Sequence, residues 1–93
     1  MKYQIKFKPK AQKELEKIPQ KEKNRILASI VGLAQDPFIG EKLKGEYDGY
    51  YSIRVWPYRV IYGIFTKELL VIIIRVGHRQ GVYKRLRGIN ESL

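Results

Sequence analysis

The apolar residues of this chain change their spacing once, and that change divides the chain into two kinds of backbone. Between residues 9 and 35 they recur three or four positions apart: Ala11, Leu15 and Ile18, then Ile26, Leu27, Ile30, Leu33 and Ala34. Such spacing lays a stripe along one face of an α-helix. From residue 46 onward the period is two. Tyr51, Ile53 and Val55 alternate with Ser52 and Arg54, and Tyr58, Val60, Tyr62 and Ile64 alternate with Arg59, Ile61 and Phe65. Alternation of that kind puts one set of side chains on each face of a β-strand. Helices grouped ahead of strands, with no βαβ alternation between them, predict an α+β domain.

Proline and glycine mark the boundaries. Residues 2–8 alternate Lys and Gln with Tyr3, Ile5 and Phe7, which predicts a first strand. Pro9 suits the first turn of a helix, where its missing N–H costs nothing. Pro19 closes that helix and opens a second over residues 20–35, which Asp36-Pro37 ends because the residue before proline avoids the α region. With only the Pro19 corner between them, the helices are expected to form an αα-hairpin. Trp56-Pro57 and Thr66-Lys67-Glu68 are short turns. Residues 69–76 are apolar on both faces, as in an internal strand. The expected order is β-α-α-β-β-β, with a helical hairpin packed on one face of a small antiparallel sheet, in one domain spanning residues 1–93. The opposite sheet face is expected to be polar. Beyond Tyr83, Lys84, Arg85 and Arg87 suggest a frayed helical turn or a disordered tail.

Charge narrows the function. The chain carries 19 Lys and Arg against 9 Asp and Glu, a formal net charge of +10. A surface so basic attracts phosphate backbones and acidic proteins. Seven tyrosines add surface on which unstacked bases can lie. No Cys is present, so disulfide scaffolds and thiolate zinc sites are excluded; with a single His, a histidine metal cage is not expected either. Residues 69–74 are the longest apolar run, far short of the roughly 20 residues of a membrane-spanning helix. The N-terminus lacks a signal-peptide apolar block, and a cytoplasmic location is expected.

The candidate site follows from strand alternation. Arg54 and Arg59 lie opposite the core-facing residues of their strands, and Val76-Gly77-His78-Arg79 leads from the last strand toward Gly81-Val82-Tyr83. A meander would bring Arg54, Arg59, Arg79 and Tyr83 onto one positive surface, and clustered guanidinium forks match phosphate oxygens. His78 is a candidate general acid or base, although alternation sets it opposite Arg79. Lys42-Leu43-Lys44-Gly45 turns Leu43 inward and two lysines outward. Lys13, Lys17 and Lys21, with Lys10 and Lys23, form a second basic area suited to a long polyanion, or simply a solvated helix face. No phosphate-binding glycine loop, Ser/His/Asp set or carboxylate cluster occurs, so no metal site and no cofactor are expected.

Taken in order, several short motifs resemble the RelE/ParE superfamily of toxin–antitoxin toxins, on its RelE side. They are Ala11-x-Lys13-Glu14-Leu15, Asp36-Pro37, Lys42-Leu43-Lys44-Gly45, Tyr51-Ser52-Ile53-Arg54-Val55, Tyr58-Arg59-Val60-Ile61-Tyr62, Val76-Gly77-His78-Arg79 and Val82-Tyr83. The resemblance implies a ribosome-dependent mRNA endoribonuclease. It would enter the 30S A site and cut the codon there by attack of the message's own 2′-OH, without a metal. It also implies neutralisation by an acidic, RelB-like antitoxin that carries the operator-binding part, so this chain would not itself bind DNA. By motif, Arg59 would stabilise the phosphorane, Arg79 would hold the phosphate or assist the leaving group, and Tyr83 would stack on a codon base. The chain departs from the pattern at Ser52 and Arg54, where the family's best-studied members carry lysines. Arg54 stabilises charge but is never deprotonated, leaving His78 as a candidate base. The alternatives are a ParE-like poison of DNA gyrase and a catalytically silent antitoxin- or RNA-binding module.

Overall fold

A computed structural model describes residues 2–78 of the chain. Five strands and two helices run in the order β1 (Gln4–Phe7), α1 (Pro9–Glu16), α2 (Gln20–Leu33), β2 (Glu41–Lys42), β3 (Tyr50–Val55), β4 (Tyr58–Phe65) and β5 (Leu70–His78). They form one sheet in the order β1-β5-β4-β3-β2. The meander of β3, β4 and β5 is antiparallel, as expected. The first strand alters the description of the sheet, because β1 pairs with β5 in parallel and makes the sheet mixed. The two-residue β2, not expected from the sequence, pairs Glu41 with Ser52 and Lys42 with Tyr51.

Both helices cover one face. Ala11 and Leu15 of α1, Ile18 in the corner, and Ile26, Ile30 and Leu33 of α2 pack on Val55, Val60, Tyr62, Val71, Ile73 and Val76. Each such aliphatic side chain stabilises the fold by about 1.5–3 kcal/mol through burial. Helix α2 ends two residues before the expected boundary, and Asp36 then caps a 3₁₀ turn over Pro37–Ile39 by accepting from the Phe38 N–H at 3.1 Å. The opposite face is not simply polar. Leu43, Ile61 and Ile74 form a second apolar cluster, with Tyr47, Tyr50 and Ile72 packed against it. Leu43 therefore points inward while Lys42 and Lys44 stay exposed, as the motif suggested.

One irregularity interrupts β5, just where it meets a buried charge. Ile61 pairs with Arg75 and Tyr62 with Ile73, so Ile74 is an extra residue in β5. The extra residue shifts the alternation, so that Val76 joins Ile73 on the helix side. Arg75, fully buried, reaches α1 and donates from Nη2 to Glu14 Oε2 at 2.7 Å, while the other Glu14 oxygen accepts the Val76 N–H at 3.0 Å. This pair fixes α1 to the sheet. No described helix is long and apolar enough to cross a membrane.

Candidate active site

The β3–β4 hairpin builds the site. Its register sets Arg54 directly across from Arg59. Two like charges opposite one another repel, and the structure supplies a counter-charge from β2. Arg59 Nη1 donates to Glu41 Oε1 and to Ser52 Oγ, each at 3.2 Å. The Arg59 side chain is 13% exposed and that of Glu41 66% exposed, so the guanidinium is sunk in the surface beneath an accessible carboxylate. Ser52 is buried. These four side chains form the polar end of a cleft whose apolar wall comes from Ala28 and Gly32 of α2 together with Ile39 and Ile53.

The loop entering Glu41 is held by a close approach. A Cβ on Gly40 would run into the Tyr62 hydroxyl and the Ser52 carbonyl, so only glycine fits. The Tyr62 hydroxyl donates to the Pro37 carbonyl at 2.7 Å. Burial pushes the Tyr62 phenol up to about 12; Tyr51 and Asp36 add to this, against a backbone hydrogen bond at Gly40. Phe38 meets Tyr51 edge-on and Tyr51 stacks on Tyr62, which ties the 3₁₀ turn to the sheet.

The expected site residues separate into groups. Arg54 and Arg59 come together as foreseen. His78 does not join them: it pairs with Tyr58, meets that ring at 6.2 Å, and lines a different cleft with Glu14, Lys17 and Pro19 on the helix side. Alternation is the cause, since Tyr58 and Arg59 are neighbours in β4 and point to opposite faces. Arg79 and Tyr83 lie outside the described residues. Lys13 and Lys17 line a cleft with Lys10 above the Arg75–Glu14 pair. Lys21, Lys42 and Lys44 are exposed on other elements. Sequence reasoning missed Glu41, because a two-residue strand carries no periodicity. Alternation sets Ser52 on the polar face beside Arg54, and the structure makes it a hydrogen-bond partner of Arg59.

The arrangement suits an anion. Guanidinium donors at one end of a partly apolar cleft offer fixed positive charge to a phosphate. Among the described residues, no three His, Cys, Asp or Glu side chains gather as a metal site would require.

Comparison with known proteins agrees with the fold and with the sequence motifs. Residues 5–83 match the model of a family described as the ParE toxin of type II toxin–antitoxin systems, and the chain belongs to that family. It is similar to Toxin RelG of Mycobacterium tuberculosis, 35% identical over 91 residues that cover 91% of this chain and all of that one. Among solved structures it resembles the M. tuberculosis RelBE2 toxin–antitoxin complex, at 30% identity, with a TM-score of 0.78 over 84% of this chain and 92% of that one. A mutant Escherichia coli RelE toxin in the free state superposes with a TM-score of 0.81 at 25% identity, over the whole of both chains. The resemblance to the RelE/ParE superfamily is thus borne out, and the chain is a toxin of a type II toxin–antitoxin system.

Proposed function

We propose that the toxin is a ribosome-dependent mRNA endoribonuclease whose phosphate-binding centre is the cleft of Arg54 and Arg59. The observation that carries this reading is the cross-strand register that seats both guanidinium groups at one end of a single cleft. In the proposed reaction the 2′-OH of one nucleotide attacks the adjoining phosphate, and Arg59 and Arg54 stabilise the charge of the phosphorane. Arg79 and Tyr83 complete the site by holding the phosphate and stacking on a codon base. The exposed lysines, among them Lys13, Lys17, Lys21, Lys42 and Lys44, hold the toxin to ribosomal RNA as it occupies the 30S A site.

The same charge suits an acidic partner, and relatives of this chain occur in complexes with antitoxins. Association with such a partner is fast and salt-sensitive on a body of charge +10. A second reading, poisoning of DNA gyrase, draws on the description of the matching family as the ParE toxin. Similarity to Toxin RelG and the paired arginines favour RNA.

Primer extension on mRNA, with purified antitoxin-free toxin and with or without ribosomes, tests the proposal. Codon-phased cuts that require ribosomes are expected. Gyrase-dependent DNA cleavage without mRNA cuts would establish the second reading, and neither activity from a folded protein would reduce the chain to a binding module.

A further inference from the structure

We propose that the apolar wall of the arginine cleft, centred on Gly32, is a nucleobase-binding subsite that sets which codons are cut, an inference that rests on the nuclease reading above. Gly32 lies in the last turn of α2 and lines the cleft beside Ala28, four residues earlier on the same helix face. After proline, glycine is the least favourable residue for a helix interior. Neither usual reason for it applies here. The left-handed φ that glycine supplies at helix ends is absent, since α2 runs on to Ala34 in the right-handed conformation. No neighbour crowds the position either, because a Cβ built on Gly32 meets nothing within 4 Å. Folding alone would favour alanine, so the open space points to a group that comes from outside the chain.

The shape and charge of the cleft say what that group is. The cavity measures about 620 Å³, within the roughly 300–1,000 Å³ of pockets that take small organic ligands. Ile39 is 61% exposed and Ile53 half-buried, so the wall around Gly32 is apolar surface left open. Arg54 and Arg59 line the polar end of the same cleft. A nucleotide is divided in the same way, with an anionic phosphate at one end and the flat face of a base at the other. With its phosphate on the guanidinium groups, the attached base reaches the wall and lies against the bare α2 backbone at Gly32. An apolar peptide would match the wall but not the positive end, and a free phosphate the end but not the wall.

Selectivity follows from depth. The missing side chain at Gly32 leaves room for the larger ring system of a purine. One methylene more or less in an apolar pocket changes discrimination by about 10–200-fold, enough to bias the choice of codon. The base taken here is distinct from the one assigned to Tyr83, so the two subsites grip the nucleotides on either side of the bound phosphate.

The test is ribosome-programmed cleavage by wild type, Gly32→Ala and Gly32→Leu, each with its melting temperature recorded, on messages bearing a purine, a pyrimidine or an abasic ribonucleotide on either side of the cut. The abasic ribose keeps its 2′-OH, so the chemistry stays open to it. Both variants are expected to melt at or above the wild-type temperature. Gly32→Leu is expected to cut purine-flanked sites about 10-fold or more slowly than wild type. Gly32→Ala follows it by a smaller factor and carries the test should the leucine variant not fold. On the message that is abasic at the position the wall holds, wild type and variants are expected to share one slower rate. Unchanged rates and site preference in both variants would overturn the inference while the nuclease reading stands. So would a slowing that persists equally on both abasic messages, which would mean that the added side chain blocks the RNA backbone. Normal cleavage by Gly32→Leu with loss of inhibition by the antitoxin would give the wall to the partner protein instead. Absence of ribosome-dependent cuts by the wild type would remove the nuclease reading and this inference with it.

Discussion

The pairs Arg75–Glu14 and Arg59–Glu41 join the same two side-chain types, the first closed to water at both ends and the second open only at its carboxylate. Arg75 is fully buried and Glu14 nearly so, at 2.7 Å, with the second carboxylate oxygen committed to the Val76 N–H. Arg59 meets Glu41 at 3.2 Å, and most of that carboxylate remains in solvent. A buried pair cannot lose one partner without stranding a charge, whereas a carboxylate that stays in solvent parts from its arginine at lower cost. The first contact holds α1 on the sheet. In the proposed function the second lets an incoming phosphate compete with the solvent-exposed carboxylate for its arginine. On that reading the same chemistry serves structure in the first pair and ligand binding in the second, and the burial of the carboxylate makes the difference.

The sharpest way to break this comparison is Glu14→Ala, which strands Arg75. A loss of about 3–5 kcal/mol in stability is expected, read by urea or thermal unfolding. Glu41→Gln is expected to leave unfolding within about 1 kcal/mol of wild type. Equal losses in the two variants would erase the distinction.

Gly40→Ala tests whether the loop beneath Glu41 is as closely packed as the Tyr62 contact indicates. The added Cβ must displace the Tyr62 hydroxyl or the Ser52 backbone, at a cost of about 1–3 kcal/mol. Since Glu41, the partner of Arg59, is the next residue, slower cleavage is expected to accompany the lower melting temperature.

Tyr62→Phe is the mildest change. It removes the hydrogen bond to the Pro37 carbonyl and is expected to cost about 1 kcal/mol near neutral pH. The phenol ionises near 10 in an unfolded chain and at about 12 in the folded one. Its contribution to stability is therefore complete below pH 10 and is lost as pH rises from about 10 through 12. Wild type should lose more stability than Tyr62→Phe across that window, as unfolding measured side by side at each pH will show.

Much of this architecture was legible because hydrophobic period is a local property. The alternation from Tyr51 to Val55 and from Tyr58 to Ile64 located the hairpin and put Arg54 and Arg59 on one face. The helical stripe from Ile26 to Ala34 located α2 to within two residues. What escaped depends on contacts distant in sequence. The parallel pairing of β1 with β5 is set by where the chain crosses the helices, and the strand pattern of residues 2–8 carries no record of it. Arg75 sat in a run that reads as apolar on both faces, and its partner Glu14 is a residue of α1 far away in sequence. Glu41 lies in a strand too short to show a period, and it gains meaning from Ser52 and Arg59. His78 is a candidate for its imidazole; alternation already sets it opposite Arg79, and the pairing with Tyr58 shows which side that is.

The most direct test of the central claim, that Arg59 serves a ligand and not the fold alone, is the cleavage rate of Arg59→Ala in a ribosome-programmed reaction, measured on protein whose unfolding has been recorded. The account predicts a rate about 10²–10³-fold below wild type from protein that still folds, with stability lowered by about 1–3 kcal/mol for the loss of a largely buried side chain bonded to Ser52. A folded Arg59→Ala that cuts mRNA as fast as wild type would contradict it.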